Sequence, residues 1–357
     1  MIELFTIDAR IRAFAKLGNI MGLAADSISS GDTGFAREFP ALNKALERAV
    51  YHNPWFTLPN IAFALNAWSD ALTEQSLREW LKNYKVDSLY SRVSRVAVIM
   101  AGNIPLVGFH DFLCVLIKGH RFIGKLSSDD NVILPAIADV LTRIEPGFMP
   151  MIRFTDGKIT DFDAIIATGS NNTARYFEYY FAKYPHIIRR NRNGVAVLSG
   201  NENEEELLKL GADICSYFGL GCRNVSKVFI PEDFKPEKLF TAIEPYKDIL
   251  GMHNKYMNNY SYHRSVFLLN SIPHLDNGVF ILTESTQYSS PIPVLYYEFY
   301  NTIESVKEKL GKDEEYIQCI ANKVFTIKNT VRFGETQHPG LGDYADGIDT
   351  LKFLIEL

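Results

Sequence analysis

From residue 94 onward the chain alternates between short apolar runs and helix-length amphipathic segments, and that alternation limits the fold more than any other feature. Arg95-Val96-Ala97-Val98-Ile99-Met100-Ala101 is a continuous apolar run of strand length, broken by Gly102-Asn103-Ile104-Pro105. A helix is expected over Leu106–Lys118, ended by Gly119, then a strand over Arg121–Leu126 and a helix over Asn131–Ile144. A short strand near Met151–Phe154, a clear one at Asp163–Thr168, and a helix over Asn171–Lys183 close this first series. Strands that are apolar on both faces and alternate with helices indicate a parallel sheet covered on both sides.

A second series follows. Its expected strands are Gly194–Gly200, Lys227–Ile230, Ser265–Leu269, Val279–Leu282 and Pro293–Tyr297. Its expected helices are Asn203–Phe218, Pro236–Tyr246 and Thr302–Leu310. Residues 1–90 read as helical instead, with Ile11, Phe14, Leu17 and Ile20 at helical spacing and Thr57 and Thr73 near helix starts. The expected fold class is α/β: a parallel α/β sheet domain, a second α/β domain and a helical N-terminal region. A length of 357 residues suits two domains or one large one.

Charge and cysteine usage narrow the function. A net charge of -5 argues against bulk binding to nucleic acid or an anionic membrane. Four cysteines do not make a disulfide framework, and no second Cys or His pair stands at ligand spacing, so no metal site is expected. Met1-Ile2-Glu3-Leu4 is not a basic region followed by a long apolar run, so no signal peptide is expected; no apolar run reaches the length of a membrane span, and the expected compartment is the reducing cytoplasm.

One cysteine stands apart from the others. Cys222 lies in Gly219-Leu220-Gly221-Cys222-Arg223-Asn224-Val225-Ser226-Lys227, after a glycine turn and before the apolar run Val228-Phe229-Ile230. If it opens a helical turn, backbone N–H groups there and the neighbouring Arg223 favour the thiolate. Cys114, inside Phe112-Leu113-Cys114-Val115-Leu116, has the surroundings of a packed thiol. No Gly-x-Gly-x-x-Gly follows any strand. Two strand ends remain suited to a nucleotide. Gly169-Ser170 closes an apolar strand and opens a helix, where a pyrophosphate takes backbone N–H bonds, and Lys125 ends another strand before Ser127 and Ser128.

Taken in order, several stretches resemble the aldehyde dehydrogenase superfamily, and within it the acyl-CoA reductase branch typified by the LuxC-like fatty-acid reductases of bacterial bioluminescence. Gly102-Asn103-Ile104-Pro105 is similar to the family's Trp-Asn-x-Pro turn. Gly119 through Lys125-Leu126-Ser127-Ser128 resembles its adenosine-ribose stretch, and Thr168-Gly169-Ser170 its pyrophosphate turn. Gly219-Leu220-Gly221-Cys222 with Ser226-Lys227 resembles the segment carrying the nucleophile. Arg332-Phe333-Gly334 through Gly340-Leu341-Gly342-Asp343 resembles the C-terminal Phe-Gly-Gly loop. The likeness spans roughly residues 90–357. Beside the helical region read over 1–90, expected to pack on the cofactor domain, it implies a nucleotide-binding domain over 91–193, a catalytic domain over 194–325 and a segment over 326–357 that returns to the active-site cleft.

The resemblance implies catalytic Cys222 and Asn103, the latter as the oxyanion-holding amide. It implies cofactor contacts at Lys125, Ser127, Ser128, Gly169, Ser170 and, through a loose match over Glu284 to Pro291, Glu284. The departures refine the activity. The family's water-activating Glu falls near Arg189-Arg190-Asn191-Arg192-Asn193, where no carboxylate stands. Thiol exchange with coenzyme A is then favoured over hydrolysis. Ser128 replaces the ribose-binding Glu, which permits NADP(H). The activity implied is NADPH-dependent reduction of a long-chain fatty acyl-CoA to the aldehyde through an acyl-cysteine. The acyl group comes from coenzyme A or a partner enzyme, with a homo-oligomer or an acyl-transferase/synthetase complex as the assembly. The alternatives are an acyl-phosphate reductase and a catalytically silent scaffold. Arg189, Arg190 and Arg192 form a candidate clamp for coenzyme A or 2′-phosphates, against the plainer reading of a solvated surface turn. His110-Asp111 is set aside as an acid–base pair, because adjacent helical residues do not face each other.

Overall fold

The computed structural model describes residues 6–84 and 93–357. The expected domain boundary at residues 90–91 and the Met1–Leu4 segment lie outside the described residues. The chain divides into two compact units, Met1–Arg190 with Gly340–Leu357, and Asn191–Pro339.

The first unit opens with five helices: α1 (Ile7–Ser30), α2 (Gly34–Glu38), α3 (Pro40–His52), α4 (Leu58–Ala71) and α5 (Glu74–Leu81). The Thr6 hydroxyl caps α1 by accepting from the Ala9 N–H, and Gly31 closes it in the left-handed region. Along α1, Ile11, Phe14, Leu17 and Met21 are buried, a stripe at helical spacing. The unit continues with β1 (Arg95–Ile99), α6 (Phe109–Lys118), β2 (Arg121–Lys125), α7 (Ile133–Ile144), β3 (Ile152–Thr155), β4 (Ala164–Thr168), α8 (Asn171–Phe181) and β5 (His186–Arg189).

Its five strands are all parallel, in the order β3-β2-β1-β4-β5. The stripe of α1 packs into the sheet's own core, where Phe14 meets Phe112 and Phe148 edge-on. The helical N-terminal region is therefore one wall of this unit. The C-terminal helix Thr350–Ile355 belongs to the same unit, with Leu351 and Leu354 buried. It is held there by His120, which donates to the Leu354 carbonyl, and by Tyr84, whose hydroxyl donates to Asp349.

The second unit contains β6 (Asn193–Val197), α9 (Glu204–Cys215), β7 (Val225–Pro231), α10 (Leu239–Ile243), α11 (Lys247–Met252), α12 (Asn254–Leu269), β8 (Leu275–Asp276), β9 (Ile281–Glu284), β10 (Val294–Tyr300), α13 (Ile303–Lys312), β11 (Ile317–Ala321) and β12 (Thr330–Val331). The sheet order is β12-β11-β6-β7-β10-β9-β8, and only the short β8 runs antiparallel to its neighbour. Asn203 and Glu206 form a reciprocal capping box at the start of α9.

Three local expectations are corrected. Ser265–Leu269 is not a strand but the last turns of α12. Its Val-Phe-Leu-Leu run has strand composition, yet the buried residues of this segment, Tyr256, Tyr260 and Phe267, recur at helical spacing and decide the outcome. The helix expected from Leu106 starts at Phe109, because Leu106 itself sits in the left-handed region at φ 61. The helix expected through Phe218 ends at Cys215, and Tyr217 and Phe218 are left-handed. Four strands, His186–Arg189, Ile317–Ala321 and the two-residue Leu275–Asp276 and Thr330–Val331, were not foreseen.

Candidate active site

In the first unit the strand order 3-2-1-4-5 places a topological switch point between β1 and β4, and ligands of open parallel sheets bind at the carboxyl edge there. The register brings the three relevant strand ends level, with Ile99 beside Lys125 and beside Ala167. Asn103 lies on the loop after β1 and is exposed; Lys125, Ser127 and Ser128 follow β2; Gly169 and Ser170 follow β4. Five of the predicted cofactor residues and Asn103 thus share one sheet edge.

The loops are built tightly. Gly169 is closely packed: a Cβ there would lie 3.0 Å from the Thr173 side chain and 3.1 Å from Phe177, and both would have to yield a few tenths of an ångström. Ser170 caps the eleven-residue α8 by accepting from the Thr173 N–H at 3.2 Å. Lys125 Nζ donates to the Gly157 carbonyl at 3.3 Å. Ser127 bridges Asp130 and its hydroxyl accepts from the Asp129 N–H. A lysine, two serine hydroxyls and the first-turn amides of a helix form a donor set that fits an anionic dinucleotide.

The Asn103 loop leans on that same segment. Gly102 has room for no Cβ, which would lie 2.6 Å from the Ser127 side chain and 3.0 Å from the Asp130 N. Asp130 Oδ2 accepts from the Leu106 N–H at 3.2 Å, while Oδ1 is buried without a hydrogen-bond partner. Burial pushes the Asp130 carboxyl up to about 7, partly opposed by the Leu106 bond. The end of α3 closes the arrangement, with His52 Nε2 donating to the Ser128 carbonyl at 3.0 Å and Asn53 Nδ2 to the Gly102 carbonyl at 3.5 Å. The helical region therefore supports both motif loops, a role its sequence did not disclose.

In the second unit Cys222 is exposed, whereas Cys114, Cys215 and Cys319 are buried. Burial raises the thiols of Cys114 and Cys215 far above the ordinary value. The turn of Cys222 leads directly into β7 and opens no helix, so the expected helix-dipole stabilisation of its thiolate is not available. Asn224 shapes the turn instead. Its Oδ1 accepts from the Gly221 N–H at 2.8 Å, and its Nδ2 donates to the carbonyls of Asp213, Ile214 and Ser216. Arg223 Nε donates to the Thr336 carbonyl at 2.5 Å. Behind the turn lies a cavity of about 30 Å³ between the end of α9, the start of β7 and Tyr256 of α12.

Other candidates fall elsewhere. Glu284 ends β9, exposed, beside Tyr297 of β10. Arg189 is no surface clamp: it is buried in a bidentate pair with Asp111, at 2.5 and 2.8 Å, and also donates to Thr350. Arg192 points to the carbonyls of Glu314 and Ile317. Among the described residues no group of three or more His, Cys, Asp or Glu is placed to hold a metal ion, and no helix is long and apolar enough to cross a membrane.

Solved structures sharing this architecture include aldehyde dehydrogenase 21 from Physcomitrella patens in complex with succinate, at TM-score 0.63 and 11% identity over 98% of this chain and 87% of that one. The fold is that of the aldehyde dehydrogenases. An indole-3-acetaldehyde dehydrogenase complexed with NAD+ matches with TM-score 0.60 and 13% identity, over 84% of this chain and 69% of that one. The Mycobacterium tuberculosis aldehyde dehydrogenase complexed with NAD+ matches with TM-score 0.54 and 13% identity, over 82% and 70%. At these identities the aldehyde dehydrogenase likeness is one of fold. No family model and no curated protein matches the chain.

Sequence reasoning missed Asp130, Asp213 and Asn224. Asp213 had a legible signal, a carboxylate on the same helical face as the apolar Leu207, Leu210 and Ile214. Asp130 and Asn224 stand in turns, where polar residues are ordinary.

Proposed function

We propose that this chain reduces a fatty acyl-CoA thioester to the aldehyde with NADPH, through an acyl-cysteine on Cys222. The observation that carries the reading is the contrast among the thiols: the cysteine in the glycine turn is exposed on a hydrogen-bonded loop, and the other three are buried. Cys222 thiolate attacks the thioester carbonyl, an S–C bond forms, and coenzyme A leaves as its thiolate. Asn103 is assigned the side-chain amide that holds the developing oxyanion, together with a backbone N–H at Cys222. Bound NADPH supplies the hydride that converts the acyl group to the aldehyde. Collapse of the resulting adduct returns the Cys222 thiolate.

One feature supports a thiol rather than water as the acyl acceptor: the segment Arg189–Asn193, where the family's water-activating Glu falls, carries no carboxylate. Lys125, Ser127, Gly169 and Ser170 are assigned to the dinucleotide. Ser128 presents a hydroxyl where a ribose-binding carboxylate would repel a 2′-phosphate, and Asp129 beside it is exposed, so NADPH and NADH are to be titrated side by side. Incubation with long-chain acyl-CoA in the absence of NADPH, followed by peptide mass spectrometry, tests the covalent step. The expected result is release of coenzyme A and one acyl adduct on the Cys222 peptide. No adduct at any chain length, or an adduct on a different cysteine, contradicts the proposal.

A further inference from the structure

Asp213 stands near the end of α9, nine residues before Cys222 in sequence, and 1% of its surface is exposed. Among the described residues it makes no ion pair. Its Oδ2 accepts from the Gly334 N–H at 2.7 Å, and its Oδ1 accepts from both the N–H and the hydroxyl of Thr336, at 3.0 and 2.8 Å. Thr336 is itself fully buried, and its carbonyl accepts from Arg223, the residue after Cys222. The Asp213 backbone carbonyl meanwhile accepts from Asn224, two residues after Cys222. Three donors converging on one buried carboxylate is a fully satisfied polar network, and such networks fix geometry rather than merely add stability. This one joins the nucleophile turn to a segment more than a hundred residues further along the chain.

We infer that Asp213 is a positioning residue: its carboxylate clamps the Gly334–Thr336 segment to the end of α9, and through Arg223 and Asn224 that clamp sets the conformation of the Cys222 turn. The inference rests on the proposed role of Cys222, but the clamp itself can be read without any substrate. An ionised carboxylate is the one side chain of this size that accepts from all three donors at once. Protonation turns one oxygen into a donor and opposes either Gly334 or Thr336. Burial pushes the Asp213 carboxyl up to about 6 and the hydrogen bonds from Gly334 and Thr336 pull it back, so the carboxylate is the form that prevails at neutral pH. The charged and titratable groups around it are Glu335 on the clamped segment, Lys209 of α9 beneath Gly334, Arg223 on the turn, Cys215 of α9, and Tyr246, which follows α10.

The test uses the full chain with iodoacetamide and hydrogen exchange. Cys222 is the exposed cysteine, so peptide mass spectrometry follows its alkylation separately from the buried thiols. Asp213→Asn keeps the size of the side chain but presents an amide N–H to one side of the clamp. The expected result is at least a tenfold loss of amide protection at Gly334 and Thr336, and at least a threefold change in the alkylation rate of Cys222. Should Asp213→Asn fail to fold, Thr336→Val removes one donor with little change of shape and gives a smaller effect in the same direction. Protection and alkylation within twofold of the parent across pH 5–8 in whichever of the two folds overturn the clamp. Parent protein that shows the clamp but forms no acyl-cysteine would instead refute the proposed reaction and leave the clamp standing.

Discussion

The Asn103 loop of the first unit and the Cys222 turn of the second are each backed by a buried carboxylate, but the two carboxylates are satisfied differently. Asp130 receives one backbone N–H and leaves an oxygen unpartnered; Asp213 receives three donors. Asp213 is the more deeply buried, 1% exposed against 8%, yet it is pushed up less, to about 6 against about 7. Hydrogen bonds to the charged form therefore offset much of the desolvation at Asp213 and little of it at Asp130. Burial alone does not rank buried carboxylates. More donors are aimed at Asp213 than at Asp130, and bonds of that kind favour the anion.

The comparison breaks most visibly at the loop tips. Asn103 is exposed, so Asn103→Ala should leave the fold intact while turnover drops by ~10²–10³, the usual cost of removing one oxyanion donor. Steady-state kinetics alongside a thermal melt read this directly. A kcat within about threefold of the parent would remove Asn103 from the chemistry.

The next effect is on stability and pH. Both carboxyls are raised in the folded protein, so their contribution is fully present below the ordinary value of 3.8 and is lost as pH climbs through about 6 for Asp213 and about 7 for Asp130. For Asp130 alone the shift corresponds to at most ~4 kcal/mol. Asp130→Asn keeps an acceptor for Leu106 and removes the titration, so denaturant midpoints measured from pH 4.5 to 8 should decline less than in the parent. Parallel declines in parent and variant would mean that Asp130 titrates as an ordinary surface acid.

Smaller effects sharpen the picture of each turn. Asn224→Ala strips the Cys222 turn of its side-chain pins and leaves buried backbone groups unpaired, a loss of up to about 3 kcal/mol, measurable by urea unfolding. Gly102→Ala forces a methyl into Ser127 and the Asp130 backbone and should cost about 1–2 kcal/mol. It should also weaken dinucleotide binding in a fluorescence titration, because Ser127 must move. Unchanged affinity would separate the Asn103 loop from the nucleotide segment it leans on.

The sheet architecture was legible because parallel strands buried on both faces write themselves as apolar runs, as in Val96–Ile99 and Ala164–Ala167. The motif residues at strand ends were legible because glycine and serine punctuate those runs, and Gly169 sits tightly against Thr173 and Phe177. What escaped was long-range. Ser265–Leu269 read as a strand because local composition carries no record of the helix it completes. Arg189 read as a surface charge because its partner, Asp111, is 78 residues away in sequence. Residues 1–90 read as helical, but nothing in them announced that His52 and Asn53 would brace the two motif loops. The Cys222 turn was found by its glycines and its neighbours, while the side chains that shape it, Asn224 and Asp213, look ordinary until the fold brings their partners to them.

The most direct test of the account follows NADPH consumption and trapped aldehyde with long-chain acyl-CoA, comparing the parent with Cys222→Ala and Cys215→Ala. The account predicts acyl-dependent oxidation that disappears in Cys222→Ala and persists in Cys215→Ala, whose thiol is buried. Oxidation that survives in Cys222→Ala would contradict it.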